Sequence, residues 1–180
     1  MHITVFGSGK PRPGDPDYTT AQELGGLIAR AGHTVLTGGY VGTMEAVSRG
    51  ANEAGGHVIG VTCDDIERYR AGGANPWVIE EWRRVTLFDR LKALIDGCNA
   101  AIALPGGPGT FTEITLYWNL LVINAIEPRP LVLIGDGWRR VFAEYRTTQG
   151  HYANDADWRW LIFAPDNHAA LDLAVNHKMK

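Results

Sequence analysis

Three glycine-rich segments of this chain have the residue types and spacing that suit the binding of a phosphate group. They are GSG at 7–9, GGYVG at 38–42 and PGGPGT at 105–110. Each follows a short apolar run that predicts a β-strand and precedes a predicted helix, directly so for the second and third. Unpaired N–H groups and the helix dipole attract an anion at a helix start, and glycine lets the backbone approach it closely. One such turn is weak evidence, but three at one sheet edge favour a phosphate-bearing ligand.

The two common nucleotide fingerprints do not match these segments. The first segment continues as GSGKPR at 7–12, which lacks the third glycine of G-x-G-x-x-G and has prolines where the helix should begin. Gly9 and Lys10 are followed by Pro11 instead of Ser or Thr, so the segment is not a Walker A loop. Dinucleotide redox chemistry and nucleoside triphosphate hydrolysis are therefore disfavoured.

The elements that must position these turns alternate along the whole chain. Strands are predicted at 2–6, 34–37, 58–61, 82–85, 100–104, 131–134 and 161–163, and helices at 18–31, 44–54, 86–98, 110–125, 138–147 and 167–175. Residues 63–76 show little periodicity and are predicted to form a surface loop. Because several strands are uniformly apolar, we predict an α/β fold: a Rossmann-like, doubly wound parallel sheet in a single domain over residues 1–180. Ligands bind such sheets at the carboxyl ends of the strands.

Composition excludes several classes of protein. The 180 residues include 17 Lys+Arg and 20 Asp+Glu, for a net charge of −3, so general nucleic-acid binding is not expected. No apolar stretch is long enough to span a membrane, and no secretory leader is visible. Cys63 and Cys98 are then expected to be reduced thiols in a cytoplasmic protein. The six histidines show no metal-ligand spacing, so we predict no metal and no cofactor.

The segment PGGPGTFTE at 105–113 resembles the P-G-G-x-G-T-x-x-E motif of the LOG (lonely guy) family, formerly labelled possible lysine decarboxylases. The resemblance continues in TGGYVGTMEA at 37–46, in GGHVIGV at 55–61 and in Arg90, fifteen residues before Pro105. It covers roughly residues 3–134.

This resemblance implies a homodimeric or larger phosphoribohydrolase with a phosphorylated small-molecule substrate. Such an enzyme cleaves the N-glycosidic bond of AMP or of a cytokinin riboside 5′-monophosphate, giving a free base and ribose 5-phosphate. Arg90 and Glu113 correspond to the catalytic pair. The expected phosphate-binding and ligand-binding residues are Gly7, Ser8, Gly38, Gly39, Gly42, Met44, Gly106, Gly107, Gly109 and Thr110.

Three positions depart from the LOG pattern. Leu91 stands where the family has a lysine after the arginine, and Thr37 and Glu45 replace glycines of the second turn. The latter two resemble a subgroup that includes molybdenum cofactor carrier proteins, which bind a phosphorylated pterin without hydrolysing it. A non-catalytic carrier is therefore the alternative function. We reject the lysine decarboxylase interpretation, because neither Lys10 nor Lys92 lies in a recognisable pyridoxal phosphate context.

The expected chemistry centres on Glu113. Breaking a ribosyl C–N bond develops positive charge on the sugar, which a carboxylate can stabilise while it also activates a water. Thr110 and Glu113 also have the spacing of a capping box, in which Glu113 would only bond to the Thr110 amide. Arg90 is expected to bind phosphate or ribose hydroxyls, with a surface arginine as the alternative. Trp118, on the helix that helps to form the dimer in the family, is expected in a core or interface.

Overall fold

The computed structural model describes residues 1–69 and 72–177. Its strands are β1 (His2–Phe6), β2 (Thr34–Thr37), β3 (Val58–Cys63), β4 (Glu80–Arg84), β5 (Ala100–Ala103), β6 (Leu131–Ile134) and β7 (Leu161–Ala164). Its α-helices are α1 (Pro16–Arg30), α2 (Thr43–Glu53), α3 (Asp64–Tyr69), α4 (Leu87–Asp96), α5 (Pro108–Val122), α6 (Asp136–Gln149) and α7 (Asn167–Asn176). Two short 3₁₀ helices, Gly150–Tyr152 and Asp155–Trp160, lie between α6 and β7.

The strands pair in parallel in one sheet, in the order β4-β3-β2-β1-β5-β6-β7. This confirms the predicted α/β class with a Rossmann-like doubly wound sheet. The order runs one way from β1 to β4 and the other way from β5 to β7, so it reverses between β1 and β5. In such sheets the crevice at the reversal, at the carboxyl ends of the strands, is where ligands bind. The segments that follow β1 and β5 therefore define the place to look for a site.

Helices cover both faces of the sheet. Helices α1, α2 and α7 pack on one face, where Ile3, Val35 and Ile102 are completely buried. Helices α4, α5 and α6 pack on the other face, which includes Leu36 and Leu133. The uniformly apolar strands β5 and β6 are buried along their full length, as a parallel sheet between two helical layers requires. Within the described ranges, no helix is both long enough and apolar enough to cross a membrane.

The segment 63–76 is not the surface loop that the sequence predicts. Cys63 is the last residue of β3, and α3 follows directly, while residues 70 and 71 lie outside the described residues. Asn75 is buried, and its side chain donates hydrogen bonds to the backbone oxygens of Gly39 and Tyr40, both at 3.0 Å. The prediction was wrong because α3 has only six residues and none is buried, so it leaves no apolar period to detect.

Candidate functional site

A cavity of about 330 Å³ lies at the carboxyl ends of β1 and β5, where the strand order reverses. Its volume is at the small end of the range for small-molecule sites. The predicted site residues that line it are Gly7, Ser8, Met44, Arg90, Gly107, Gly109, Thr110 and Glu113. The other described lining residues are Gly9, Lys10, Tyr40, Ile66, Tyr69 and Pro108. In the described part of the chain, no group of three His, Cys, Asp or Glu side chains is placed to hold a metal ion.

One end of the cavity is formed by the start of α5. The helix begins at Pro108 with Gly107 as its N-cap, and no described side chain caps it. Pro108 has no N–H, while the amides of Gly109 and Thr110, in the first turn, have no acceptor within the helix. A Cβ built on Gly107 or Gly109 would meet no atom within 4 Å, so these glycines leave open space beside the free amides. An uncapped helix start next to open space is suited to bind a phosphate.

The capping-box interpretation of Thr110 and Glu113 is wrong. Because α5 begins at Pro108, Thr110 is its third residue and Glu113 lies in the second turn. Pro108 is a favoured first helical residue, and this moves the helix start upstream of the position that the capping-box spacing indicates. Glu113 instead pairs with Arg90, with Oε1 3.6 Å from Nη1.

Arg90 is not a surface arginine, because only 4% of the residue is exposed. Its Nε donates to the carbonyl oxygen of Val61 at 2.8 Å, and its Nη2 donates to that of Gly38 at 3.1 Å. A Cβ on Gly38 would overlap Nη2, so only glycine allows this approach. Nη1 is the nitrogen directed to Glu113. Arg90 therefore joins β3 and the turn after β2 to α5, and two of its three side-chain nitrogens bond to backbone oxygens.

Burial raises the pKa of Glu113 to about 7, and the neighbouring Arg90 guanidinium opposes that rise. The Glu113 side chain is only 10% exposed, yet the residue lines the cavity. A carboxyl with a pKa near neutrality can accept and return a proton at physiological pH, which general acid–base catalysis requires. The cavity thus combines a helix start that is suited to bind an anion with a carboxyl that is suited to transfer a proton.

The glycines of the second glycine-rich turn do not line the described cavity. Gly42 has φ of 78°, and a Cβ there would overlap the carbonyl oxygen of Ser8, which accepts the Thr43 amide at 2.8 Å. The carbonyl oxygen of Gly39 accepts the backbone N–H of Asn75 at 2.7 Å. These contacts show close backbone packing, which glycine permits. The predicted residues that do not line the described cavity are Gly38, Gly39, Gly42 and Gly106, whose ligand-binding roles stay predictions.

The departures from the LOG pattern lie outside the described cavity lining. Thr37 Oγ1 accepts the Gly39 amide at 3.1 Å, and Glu45 Oε1 accepts the Tyr18 hydroxyl at 3.1 Å. Leu91 is buried on α4. These three side chains support packing, so they do not by themselves separate a hydrolase from a carrier.

Six lining residues were not assigned to the site from the sequence: Gly9, Lys10, Tyr40, Ile66, Tyr69 and Pro108. Lys10 lies in the loop after β1, and Tyr40 lies under Arg90, whose guanidinium carbon is 5.6 Å from the ring centroid. Their positions in the sequence were the available signal, because Lys10 directly follows the first glycine-rich segment and Tyr40 lies in the second. Ile66 and Tyr69 belong to α3, whose single turn and a half leaves no recognisable pattern.

Comparison with known proteins agrees with the resemblance of the sequence to the LOG family. The family model "SLOG cluster4 family" matches residues 1–121, which include the cavity residues from Gly7 to Glu113. The cytokinin riboside 5′-monophosphate phosphoribohydrolase LOG of Oryza sativa subsp. japonica is 33% identical over 153 residues. The match covers 81% of this chain but only 60% of the rice protein.

Two solved structures have the same fold over nearly the whole chain. The molybdenum cofactor binding protein of Rippkaea orientalis has a TM-score of 0.72 and 25% identity, covering 96% of this chain and 93% of that one. The molybdenum cofactor carrier protein of Chlamydomonas reinhardtii has a TM-score of 0.68 and 27% identity, covering 94% and 92%. This chain belongs to the SLOG cluster4 family, in agreement with the resemblance of its 105–113 segment to the LOG family.

Proposed function

We propose that this protein hydrolyses the N-glycosidic bond of a nucleoside 5′-monophosphate, giving a free base and ribose 5-phosphate. The observation that carries the proposal is the position of Glu113: a buried carboxyl with a pKa of about 7, in the same cavity as the uncapped start of α5. The name of the rice relative, a phosphoribohydrolase, supports the same reaction class.

The phosphate binds at the start of α5 in this proposal. The free amides of Gly109 and Thr110 donate to its oxygens, in the space that the absent side chains of Gly107 and Gly109 leave open. Lys10, which also lines the cavity, adds positive charge. Glu113 lies about one helical turn beyond these amides, roughly 5 Å along α5. Holding the phosphate therefore places the attached ribose beside the carboxyl.

Glu113 acts on the ribose carbon that carries the base. The C1′–N bond breaks with its electron pair on the base, and the oxygen of a water bonds to C1′. The positive charge that develops on the sugar is stabilised by the ionised carboxylate, which also accepts the water's proton. A proton returned to the departing base completes the reaction. Arg90 positions the carboxyl and favours its ionised form.

Release of free base tests this proposal directly. The protein is incubated with AMP and with N6-isopentenyl-AMP, and free base and ribose 5-phosphate are measured by chromatography. We expect both products in equal amounts, and we expect Glu113→Gln to release almost none. A parent protein that releases no base from either nucleotide would remove the hydrolase proposal.

A carrier of molybdenum cofactor is the second candidate, favoured by the two solved structures with similar folds. A carrier needs the anion-binding start of α5 but no group that activates water. Calorimetry with the isolated cofactor, run beside AMP under the same anaerobic conditions, separates the two functions. Tight cofactor binding together with no base release would replace the hydrolase by a carrier.

We also propose a homodimer that forms through the outer side of α5. The only charged residue of this helix is the buried Glu113, while Phe111 is 40% exposed and Ile123, just after the helix, is 60% exposed. Phe111 and the buried Trp118 both line an aromatic groove of about 410 Å³. Ile123→Glu should give monomers in light scattering, whereas Val175→Glu, on α7, should leave the dimer intact. Monomers in the parent protein would contradict the proposal.

For the location we propose the cytoplasm. Cys63 and Cys98 are both buried and both free, which suits a reducing compartment. Recovery of the protein in the cytoplasmic fraction of its cells is the expected result, and recovery elsewhere would contradict it.

A further inference from the structure

We infer that the base of the nucleotide is recognised by stacking on Tyr69 of α3, so that the site accepts nucleoside monophosphates with different bases. The inference rests on the proposed function, because it assigns the part of the same cavity that holds the base. Helix α3 has acidic side chains that hold it in place and two apolar side chains, Ile66 and Tyr69, that line the cavity.

The acidic residues of α3 anchor the helix. Arg83 on β4 has its Nη2 2.7 Å from a carboxylate oxygen of Asp64 and 2.7 Å from one of Glu67. A carboxylate oxygen of Asp65 accepts the backbone N–H of Leu87 at 2.9 Å, at the start of α4. Single ion pairs near the surface stabilise little, but three contacts from one short helix fix its orientation. The helix is therefore held against β4 and α4.

The apolar residues of α3 line the cavity. Ile66 and Tyr69 are separated by three positions, so they lie on the same face of the helix, and both line the cavity. Tyr69 is 90% exposed, and within the described chain no other aromatic ring pairs with it. No residue of α3 is buried, so this apolar face is not part of the core. An exposed aromatic ring at the edge of a cavity offers a surface for a planar ligand.

The distance between α3 and the anion-binding end suits a nucleotide. Helix α3 follows β3 and helix α5 follows β5, and these strands are three positions apart in the sheet. At about 4.8 Å between neighbouring strands, the two ends of the cavity are about 14 Å apart. Arg90 bonds to Gly38, after the intervening strand β2, and pairs with Glu113. The reacting bond would thus lie between a phosphate at α5 and a base at α3.

Among the described lining residues, Tyr40, Met44 and Ile66 offer little that could read the edge of a base. The Tyr40 hydroxyl is already engaged, since it donates to the carbonyl oxygen of Cys63 at 3.1 Å and accepts the Cys63 amide at 2.8 Å. Met44 and Ile66 also line the cavity, and both are apolar. Stacking tolerates different bases, because every base has a π-face. A site that hydrogen-bonds a specific group instead rejects its analogues by about 10⁴-fold or more.

Calorimetric titration tests the inference with four ligands: AMP, GMP, N6-isopentenyl-AMP and ribose 5-phosphate, which has no base. The parent protein should bind the three nucleotides within about tenfold of one another. Tyr69→Ala should weaken each nucleotide about tenfold and leave ribose 5-phosphate unchanged. Tyr69→Phe should bind like the parent, because the ring is kept. Tyr152→Ala, at a tyrosine that is 80% exposed but does not line this cavity, is the matched control and should also bind like the parent.

Several outcomes would overturn the inference. One is that Tyr69→Ala binds AMP as tightly as the parent does. Another is that Tyr69→Ala loses as much affinity for ribose 5-phosphate as for the nucleotides, which would indicate a structural role. A parent protein that prefers one purine by more than about a hundredfold, or binds none, would also contradict it. Base release by the parent is measured in parallel. If no base is released but the Tyr69 results hold, the hydrolase proposal is wrong and the stacking site stands.

Discussion

Arg90 and Glu113 form a buried ion pair, in which Nη1 and Oε1 are 3.6 Å apart and the side chains are 5% and 10% exposed. The pair joins α4 to α5, which lie on the same face of the sheet. The two other bonded nitrogens of Arg90 donate to backbone oxygens of Val61 and Gly38. Desolvation of the carboxylate outweighs its attraction to Arg90, and the pKa of Glu113 is therefore raised to about 7.

The first prediction concerns the reaction itself. Glu113→Gln should lower the rate of base release from AMP by at least about 10²-fold, because an amide neither stabilises positive charge nor accepts a proton. AMP affinity should change little, since the proposed phosphate contacts come from the start of α5. Chromatography gives the rate and calorimetry the affinity. Glu53→Gln is the control, because Glu53 also pairs with an arginine, Arg49, but lies outside the cavity. Turnover of AMP by Glu113→Gln at the parental rate would contradict the assignment.

The second prediction is a pH dependence of stability. The pKa of Glu113 rises from its ordinary value of 4.5 to about 7 on folding, so the folded state binds this proton more tightly. The resulting stability is fully present below pH 4.5 and is lost as the pH rises through 7. A shift of this size corresponds to roughly 3 kcal/mol. Glu113→Gln cannot ionise and should lack this part of the pH dependence.

Urea unfolding of both proteins at pH 5 and pH 8 measures the effect. Between these values the parent should lose about 2–3 kcal/mol more unfolding free energy than Glu113→Gln. The difference between the two proteins isolates the contribution of the carboxyl. Parallel losses in the two proteins would show that Glu113 titrates normally.

The third prediction separates stability from binding at the start of α5. Gly109 is the second residue of α5, and a Cβ there would meet no atom within 4 Å. Gly109→Ala should therefore stabilise the fold by up to about 1 kcal/mol, because alanine favours a helix. The added methyl group lies in the space assigned to the phosphate, so affinity for AMP should fall. Thermal unfolding and calorimetry measure the two effects.

Gly137→Ala is the control for this experiment. Gly137 is likewise the second residue of its helix, α6, and it also has no atom within 4 Å of a built Cβ. This variant should gain stability and bind AMP like the parent. If Gly109→Ala keeps parental affinity for AMP, the phosphate does not bind at the start of α5.

The fourth prediction compares two glycines with the same backbone conformation. Gly42 and Gly32 have φ of 78° and 76°. A Cβ at Gly32 would meet nothing within 4 Å, whereas one at Gly42 would overlap backbone atoms of Ser8 and Gly9. Gly32→Ala should lose about 1–2 kcal/mol from left-handed strain alone, and Gly42→Ala should lose more because of the added overlap. Urea unfolding measures both, and equal losses would contradict the close packing of Ser8 on Gly42.

The sequence predicts best the strands that are short, mainly apolar runs followed by a glycine. The predicted 2–6 and 131–134 strands coincide with His2–Phe6 and Leu131–Ile134. The edge strand β4, Glu80–Arg84, was displaced in the prediction to 82–85, because a strand that pairs on one side only can be rich in charge. Helix α3 and both 3₁₀ helices were missed, since they are too short to show a period.

The candidate site was predictable only where local motifs define it. The 105–113 motif indicated Glu113 and the start of α5, both of which line the cavity. The bond from Arg90 to Gly38 joins residues 52 positions apart, and no local pattern encodes such a contact. The same limit applies to Tyr69, which reaches the cavity only because Arg83 and Leu87 anchor α3.

The cavity can form only after β1 has paired with β5 during folding. That ladder joins Ile3 to Ala100, and Gly7 and Gly109 meet in one cavity only after it has formed. Closing so long a loop costs conformational entropy, and we therefore expect this pairing to form late in folding. A nucleotide has nothing to bind before that event, so it should slow unfolding and leave the refolding rate unchanged. During synthesis, the chain should therefore reach this pairing without help from its ligand.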